Sequence, residues 1–203
     1  MGYDPKGDYL MVLPPSKQAL EAGWALISKY SAYDGPPDDA PFEDVVTTFS
    51  GMGAPETAAM RVGAKPALSM DGWDESIRTL QENYPGKHKQ TWFGGEDGSV
   101  EDVLGDIHDA TSGSDSWAYH ASPPCGKISR ANEKGKADPS GAMEMMRFND
   151  DIMSNIREWE NPPSMMSVEQ SPDIIPYLIG KDLEMYLNIS DLYNVKLLNK
   201  ELN

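Results

Sequence analysis

The sequence predicts an α/β fold in which a doubly wound, mostly parallel sheet is flanked by helices. Three observations predict it. From Asp44 onward, short β-rich runs alternate with helical runs in the order βαβαβ and then βαβα, the alternation that a parallel sheet with crossover helices requires. The first β-rich run ends in a glycine turn, Gly51-Met52-Gly53, which leads straight into a helical run. Acidic residues then stand where later strands are expected to end, at Asp71, Asp106 and Glu169. In open α/β sheets, ligands gather beyond the carboxyl ends of the strands.

Residues 1–43 read as an N-terminal extension. Met1 to Pro15 carry glycine, proline and charge without periodicity, and are expected to be extended or mobile. From Ser16 to Tyr30, Leu20, Trp24, Ile27 and Tyr30 recur at helical spacing behind Ser16 as N-cap. Asp34 to Pro41, rich in Pro and Asp, is a linker.

Residues 44–203 form the organised domain. Val45 to Phe49 is a strand, and Pro55 to Val62 a helix with Pro near its first turn. Ala67 to Met70 is a second strand, and Trp73 to Asn83 a helix with Ile77, Leu80 and Tyr84 on one side. Pro85 to Gly98 reads as a polar, glycine-containing excursion, and Val100 to Ile107 as the approach to a third strand end at Gly105-Asp106-Ile107. Trp117 to His120 is a fourth strand. A helix from Gly141 to Trp159 carries the stripe Met145, Phe148, Ile152 and Ile156. Met165 to Glu169 is a fifth strand, Asp173 to Leu187 a further helix and Val195 to Leu198 a last strand. There is no internal repeat.

A chain of 203 residues is long enough for one complete core. No stretch approaches the ~18 apolar residues of a membrane span, and the N-terminus lacks a basic region followed by an apolar run. The expectation is an intracellular protein, cytoplasmic in a microbe or a virus-infected cell, without a membrane partner. With 33 acidic against 17 basic side chains and a net charge of −16, its surface repels nucleic acid unless basic residues gather on one face or another chain supplies them.

The one cysteine, Cys125, closes the segment Ala121-Ser122-Pro123-Pro124-Cys125 directly after the fourth strand. It has no partner for an internal disulfide, and paired prolines stiffen the backbone before it. A lone cysteine also serves as a packing residue; its neighbours at the strand ends give it a second reading. A Gly-x-Gly turn satisfies tight strand-to-helix geometry, or lets the backbone approach a polar ligand before a helix N-terminus. Asp71, some twenty positions on, suits a ribose diol or a helix cap. Trp73 suits a purine face or a core, and Asp106 an adenine amino group or a turn. Together the strand ends favour an adenosine-containing cofactor, with no metal expected.

The ordered set Phe49-Ser50-Gly51-Met52-Gly53, Asp71 with Trp73, Gly105-Asp106-Ile107, Pro123-Pro124-Cys125 and Val168-Glu169-Gln170 resembles the cytosine-C5 DNA methyltransferases over residues 44–203. The resemblance implies a Rossmann-like, S-adenosylmethionine-dependent methyltransferase fold that is incomplete at its C-terminus. It assigns the cofactor to Phe49, Ser50, Gly51, Met52, Gly53, Asp71, Trp73, Asp106, Ile107 and Pro123. It makes Cys125 the nucleophile and Glu169 the residue on the target cytosine, with Pro124, Ser129, Arg130 and Gln170 beside the substrate. The chemistry explains these types: carbon 5 of cytosine is too poor a nucleophile until a thiolate adds to carbon 6, and a carboxyl group at N3 and the exocyclic amine offsets the charge that accumulates. The base must be flipped out of the duplex first.

Several residues depart from the family pattern. Gly126 replaces the glutamine after the cysteine, Gln170-Ser171 replaces Asn-Val, and Ser140 replaces an arginine. Lys127 and Arg130 are candidates to favour the thiolate, and Gly126 to Gly141 is a candidate closing loop. His120 reads as a packing or surface residue. The segment Leu197 to Asn203 resembles the strand before the family's Gln-x-Arg-x-Arg motif, and neither that motif nor the target-recognition domain follows. Val12-Leu13-Pro14-Pro15 and its helix loosely resemble the family's final motif, which comes first in permuted relatives. The resemblance therefore implies DNA cytosine methylation, as in restriction-modification, with a second polypeptide carrying the recognition domain. The alternatives are a regulatory module that keeps the nucleoside crevice without turnover, or RNA as the substrate.

Overall fold

The computed structural model describes residues 40–125 and 140–170, with short pieces at 2–3 and 10–11. The chain divides into two units, Met1–Pro36 and Pro37–Asn203. In the first, β1 (Gly2–Tyr3) pairs antiparallel with β2 (Leu10–Met11), Gly2 opposite Met11 and Tyr3 opposite Leu10, where the sequence predicts only extended or mobile chain. The predicted helix Ser16 to Tyr30, the loop with Ser129 and Arg130, the helix Asp173 to Leu187 and the strand Val195 to Leu198 lie outside the described residues.

The second unit runs β3 (Asp44–Thr48), α1 (Ala54–Arg61), β4 (Lys65–Asp71), α2 (Asp74–Asn83), β5 (Lys87–Gln90), α3 (Val100–Thr111), β6 (Trp117–Ala121), α4 (Ser140–Arg157) and β7 (Met165–Val168). Among the described residues, five strands form one parallel sheet in the order β5-β4-β3-β6-β7. The chain builds outward from β3 to β5, then returns to the other side of β3 with β6 and β7. This is the doubly wound, Rossmann-like arrangement. The winding reverses between β3 and β6, so the crevice of the fold opens beyond the carboxyl ends of those two strands.

Period-2 alternation sends each strand's side chains to opposite layers. Val46, Trp117, Tyr119 and Met166 join Val103 and Ile107 of α3 and Phe148, Ile152 and Ile156 of α4 in the main core. Val45 and Ala118 face the other way and pack with Ala59 of α1. A polar network crosses the main core. The fully buried Tyr119 hydroxyl donates to Asn149 Oδ1 and lies 2.8 Å from Thr48 Oγ1, and burial raises its pKa well above the ordinary tyrosine value. Among the described residues, no helix is long and apolar enough to cross a membrane.

One predicted strand is corrected. Gly105-Asp106-Ile107 lies inside α3, not at a strand end. The Ser99 side chain accepts from the Asp102 amide while Asp102 accepts from the Ser99 amide, a capping box that starts the helix. Val103, Ile107 and Thr111 then recur at fourfold spacing on its buried face. The third strand is β5, Lys87-His88-Lys89-Gln90, within the predicted polar excursion. As an edge strand it pairs with β4 alone. Its exposed polar side chains give no apolar alternation to detect, and charged residues are what edge strands carry against unwanted pairing.

Candidate functional site

The first carboxyl end is β3. Phe49 takes a positive φ of 55°, uncommon for a residue with a side chain. Its ring turns into the main core against Phe93, with ring centroids 4.0 Å apart. Ser50 is buried, with Oγ 2.7 Å from Thr47 Oγ1 and 3.1 Å from the Met70 carbonyl that it donates to. The two glycines do different jobs. At Gly53 (φ 94°) a Cβ would stand 2.2 Å from the Tyr84 ring, whose hydroxyl lies 2.8 Å from Thr57 Oγ1. Gly53 therefore serves helix packing. At Gly51 (φ 58°) a Cβ would meet nothing within 4 Å, and its amide donates to Asp71 Oδ2 at 2.8 Å. Gly53→Ala is expected to destabilise the fold by about 1–3 kcal/mol through the left-handed backbone alone, read as a lower urea midpoint.

Asp71 ends β4 and is almost buried. Its second oxygen accepts from the Trp73 amide at 2.9 Å, so the carboxylate joins the glycine turn to the start of α2. Three exposed apolar side chains follow these strand ends, Met52 (69% exposed), Trp73 (70%) and Trp92 (65%), one beyond each of β3, β4 and β5. The Trp92 ring lies against Gly72, 3.5 Å from where a Cβ would be. Thr91, between β5 and Trp92, is buried with an Oγ1 that has no hydrogen-bond partner among the described residues. Asp106, assigned by resemblance to this pocket, instead ion-pairs with Lys89 from within α3, and Ile107 is buried in the main core. Trp92 was missed by sequence reasoning, because the strand that presents it was read as loop.

The second carboxyl end is β6, followed by Ser122, buried Pro123, exposed Pro124 and half-buried Cys125. The neighbouring strand β7 ends just before Glu169, which is exposed. Ala121 pairs with Val168, the Glu169 amide donates to the Ala121 carbonyl at 2.9 Å, and Gln170 Nε2 donates to the Pro123 carbonyl at 3.1 Å. Ser122 is tied to β3 by its amide on the Thr48 carbonyl. The cysteine loop, the Glu169 segment and the glycine turn therefore leave the same edge of the sheet on adjacent strands. Ser129 and Arg130 lie outside the described residues.

Beneath this edge, on the α1 face, lies a polar row that sequence reasoning missed. His120 stands opposite Thr47 and Ser167 in the ladders, with Nδ1 2.8 Å from Ser167 Oγ and Nε2 2.9 Å from Ser122 Oγ. Burial lowers its pKa, against the opposing fields of Glu56 and Glu169. Glu56, fully buried, takes a hydrogen bond from Thr47 on Oε1, while Oε2 has no partner among the described residues. Glu56 lies three residues after the N-cap Gly53 and one turn before Ala59 on the buried face of α1. Because the unfolded chain takes the His120 proton first, the stabilisation from neutral His120 is present above the ordinary value of 6.5. It is lost as pH falls from there to the folded pKa. Urea unfolding is expected to show a stability loss of up to about 1.4 kcal/mol per pH unit in that window, absent in His120→Phe.

No family model and no curated protein matches the chain. Among solved structures, that of a proposed DNA modification methyltransferase encoded within a prophage (E. coli) is similar at a TM-score of 0.47 and 19% identity, over 73% of this chain. The match spans 38% of that protein's chain.

Proposed function

We propose that this chain carries the catalytic part of an S-adenosylmethionine-dependent cytosine-C5 methyltransferase acting on DNA. One observation carries the reading: the only thiol and the Glu169 carboxyl leave adjacent strands at the switch point of a doubly wound sheet, joined by the Gln170 to Pro123 bond. A reactive thiol beside a carboxyl in the ligand crevice is what addition to a pyrimidine ring needs.

The residues beyond β3, β4 and β5 fit the cofactor. Gly51 leaves open space where a Cβ would stand, and Asp71 presents a carboxylate with lone pairs to spare for a ribose diol. Trp73 and Trp92 offer aromatic faces for the purine. S-adenosylmethionine, when bound, supplies an electrophilic methyl group. Asp106 lies within α3 and ion-pairs with Lys89, so in this reading the base is held chiefly by stacking.

Across the crevice, the Cys125 thiolate adds to carbon 6 of a flipped cytosine. The sulfur–carbon bond forms as the ring's π pair moves to carbon 5, and Glu169 at N3 and the exocyclic amine stabilises the charge. Once carbon 5 carries the methyl group, loss of its proton restores the double bond and expels the thiolate. The net charge of −16 supports a division of labour in which a second polypeptide supplies the basic DNA-reading surface.

Calorimetry with S-adenosylhomocysteine tests the cofactor half. Binding to folded protein is expected, with affinity reduced about tenfold in Trp73→Ala, from roughly 1–3 kcal/mol of lost base stacking. Absence of binding by folded protein contradicts the reading.

A further inference from the structure

His120 is the group on the α1 face whose contacts the reaction does not call on. Its ring touches both arms of the candidate site: Ser122, three residues before Cys125, and Ser167, two residues before Glu169. A neutral imidazole donates from one nitrogen and accepts at the other, and a serine hydroxyl satisfies either role, so both contacts form together. The backbone around the ring is already held by the Ser122 amide on Thr48 and the Glu169 amide on Ala121. What the backbone leaves free is the heading of the loop beyond Ser122. Pro123 and Pro124 fix two successive φ angles and restrict the residues before them. An orientation set at Ser122 is therefore carried along a stiff arm to Cys125.

We propose that His120 is a positioning residue for the nucleophile, acting through Ser122 with Ser167 as its anchor to set where Cys125 stands relative to Glu169. The proposal rests on the methyl-transfer reading for its purpose, but its geometry is testable without DNA.

Cys125 is the chain's only cysteine, so alkylation by iodoacetamide reports on that thiol alone. His120→Phe removes both contacts, Ser122→Ala removes the loop contact, and His120→Gln reaches as far as Nε2 and keeps it. His120→Phe and Ser122→Ala are each expected to speed alkylation about threefold or more by releasing the half-buried thiol through local opening. The double variant is expected to match the faster single variant, since both cut one interaction. His120→Gln is expected to restore the wild-type rate. Should His120→Phe fail to fold, Ser122→Ala decides alone, as it leaves the backbone bond to Thr48 in place. Wild-type alkylation in Ser122→Ala, or effects that multiply in the double variant, overturns the proposal. If the alkylation pattern holds while wild-type protein, given S-adenosylmethionine and a 5-fluorocytosine oligonucleotide, forms no adduct, the positioning stands and the methyl-transfer reading fails.

Discussion

Cys125→Ser is expected to lower methyl transfer to cytosine by at least about 10⁴-fold, the scale seen when a nucleophile acting as part of a catalytic unit is removed. Affinity for S-adenosylhomocysteine is expected to stay within about twofold, because the residues proposed to hold it lie beyond β3, β4 and β5 while Cys125 follows β6. A serine hydroxyl has the thiol's shape but not its acidity, and a neutral hydroxyl does not add to carbon 6 of an unactivated pyrimidine. The split between lost turnover and retained binding separates a nucleophile from a packing residue. A packing cysteine would lower the unfolding midpoint and leave turnover intact. The assay is transfer of labelled methyl to cytosine-containing DNA.

Glu169→Gln has the next largest expected effect, a loss of about 10²–10³-fold in turnover, as for removal of one group that stabilises developing charge. Glutamine keeps the length and can still meet the exocyclic amine of cytosine through its carbonyl oxygen. It loses the acidic proton at N3, the contact that strengthens as electron density flows into the ring. Glu169 is exposed at the end of β7, and the segment is held by its amide on Ala121 and by Gln170 on Pro123. The substitution should therefore leave stability within about 0.5 kcal/mol. Equal turnover in the variant and the wild type would remove Glu169 from the site.

The strands that carry the crevice were legible because their residues report burial. Val45 and Val46, Leu68 and Met70, Trp117 and Tyr119 are apolar runs bounded by turns, and Gly51 and Gly53 mark positive φ. β5 was not legible. An edge strand with exposed Lys87, Lys89 and Gln90 needs no apolar face, and the deeper Ile107 drew attention to a helix that ends in Thr111. Reading Gly105-Asp106-Ile107 as a strand end, rather than as part of α3, hid the strand that presents Trp92. Glu56 and His120 were obscured for another reason. Their roles come from contacts between strands and helix that no local spacing encodes: Glu56 meets Thr47 nine residues away, and His120 meets Ser167 forty-seven residues away. Cys125 and Glu169 were singled out through a motif resemblance, and the β6 to β7 ladder places the segments that carry them side by side.

The central claim is that Cys125 attacks the base beside Glu169. The most direct measurement is peptide mapping by mass spectrometry after incubation with S-adenosylmethionine and an oligonucleotide containing 5-fluorocytosine, whose fluorine blocks the final proton loss. The account predicts a covalent nucleotide on the peptide containing Cys125, absent in Cys125→Ser. An adduct on another residue, or one that persists in the serine variant, contradicts it.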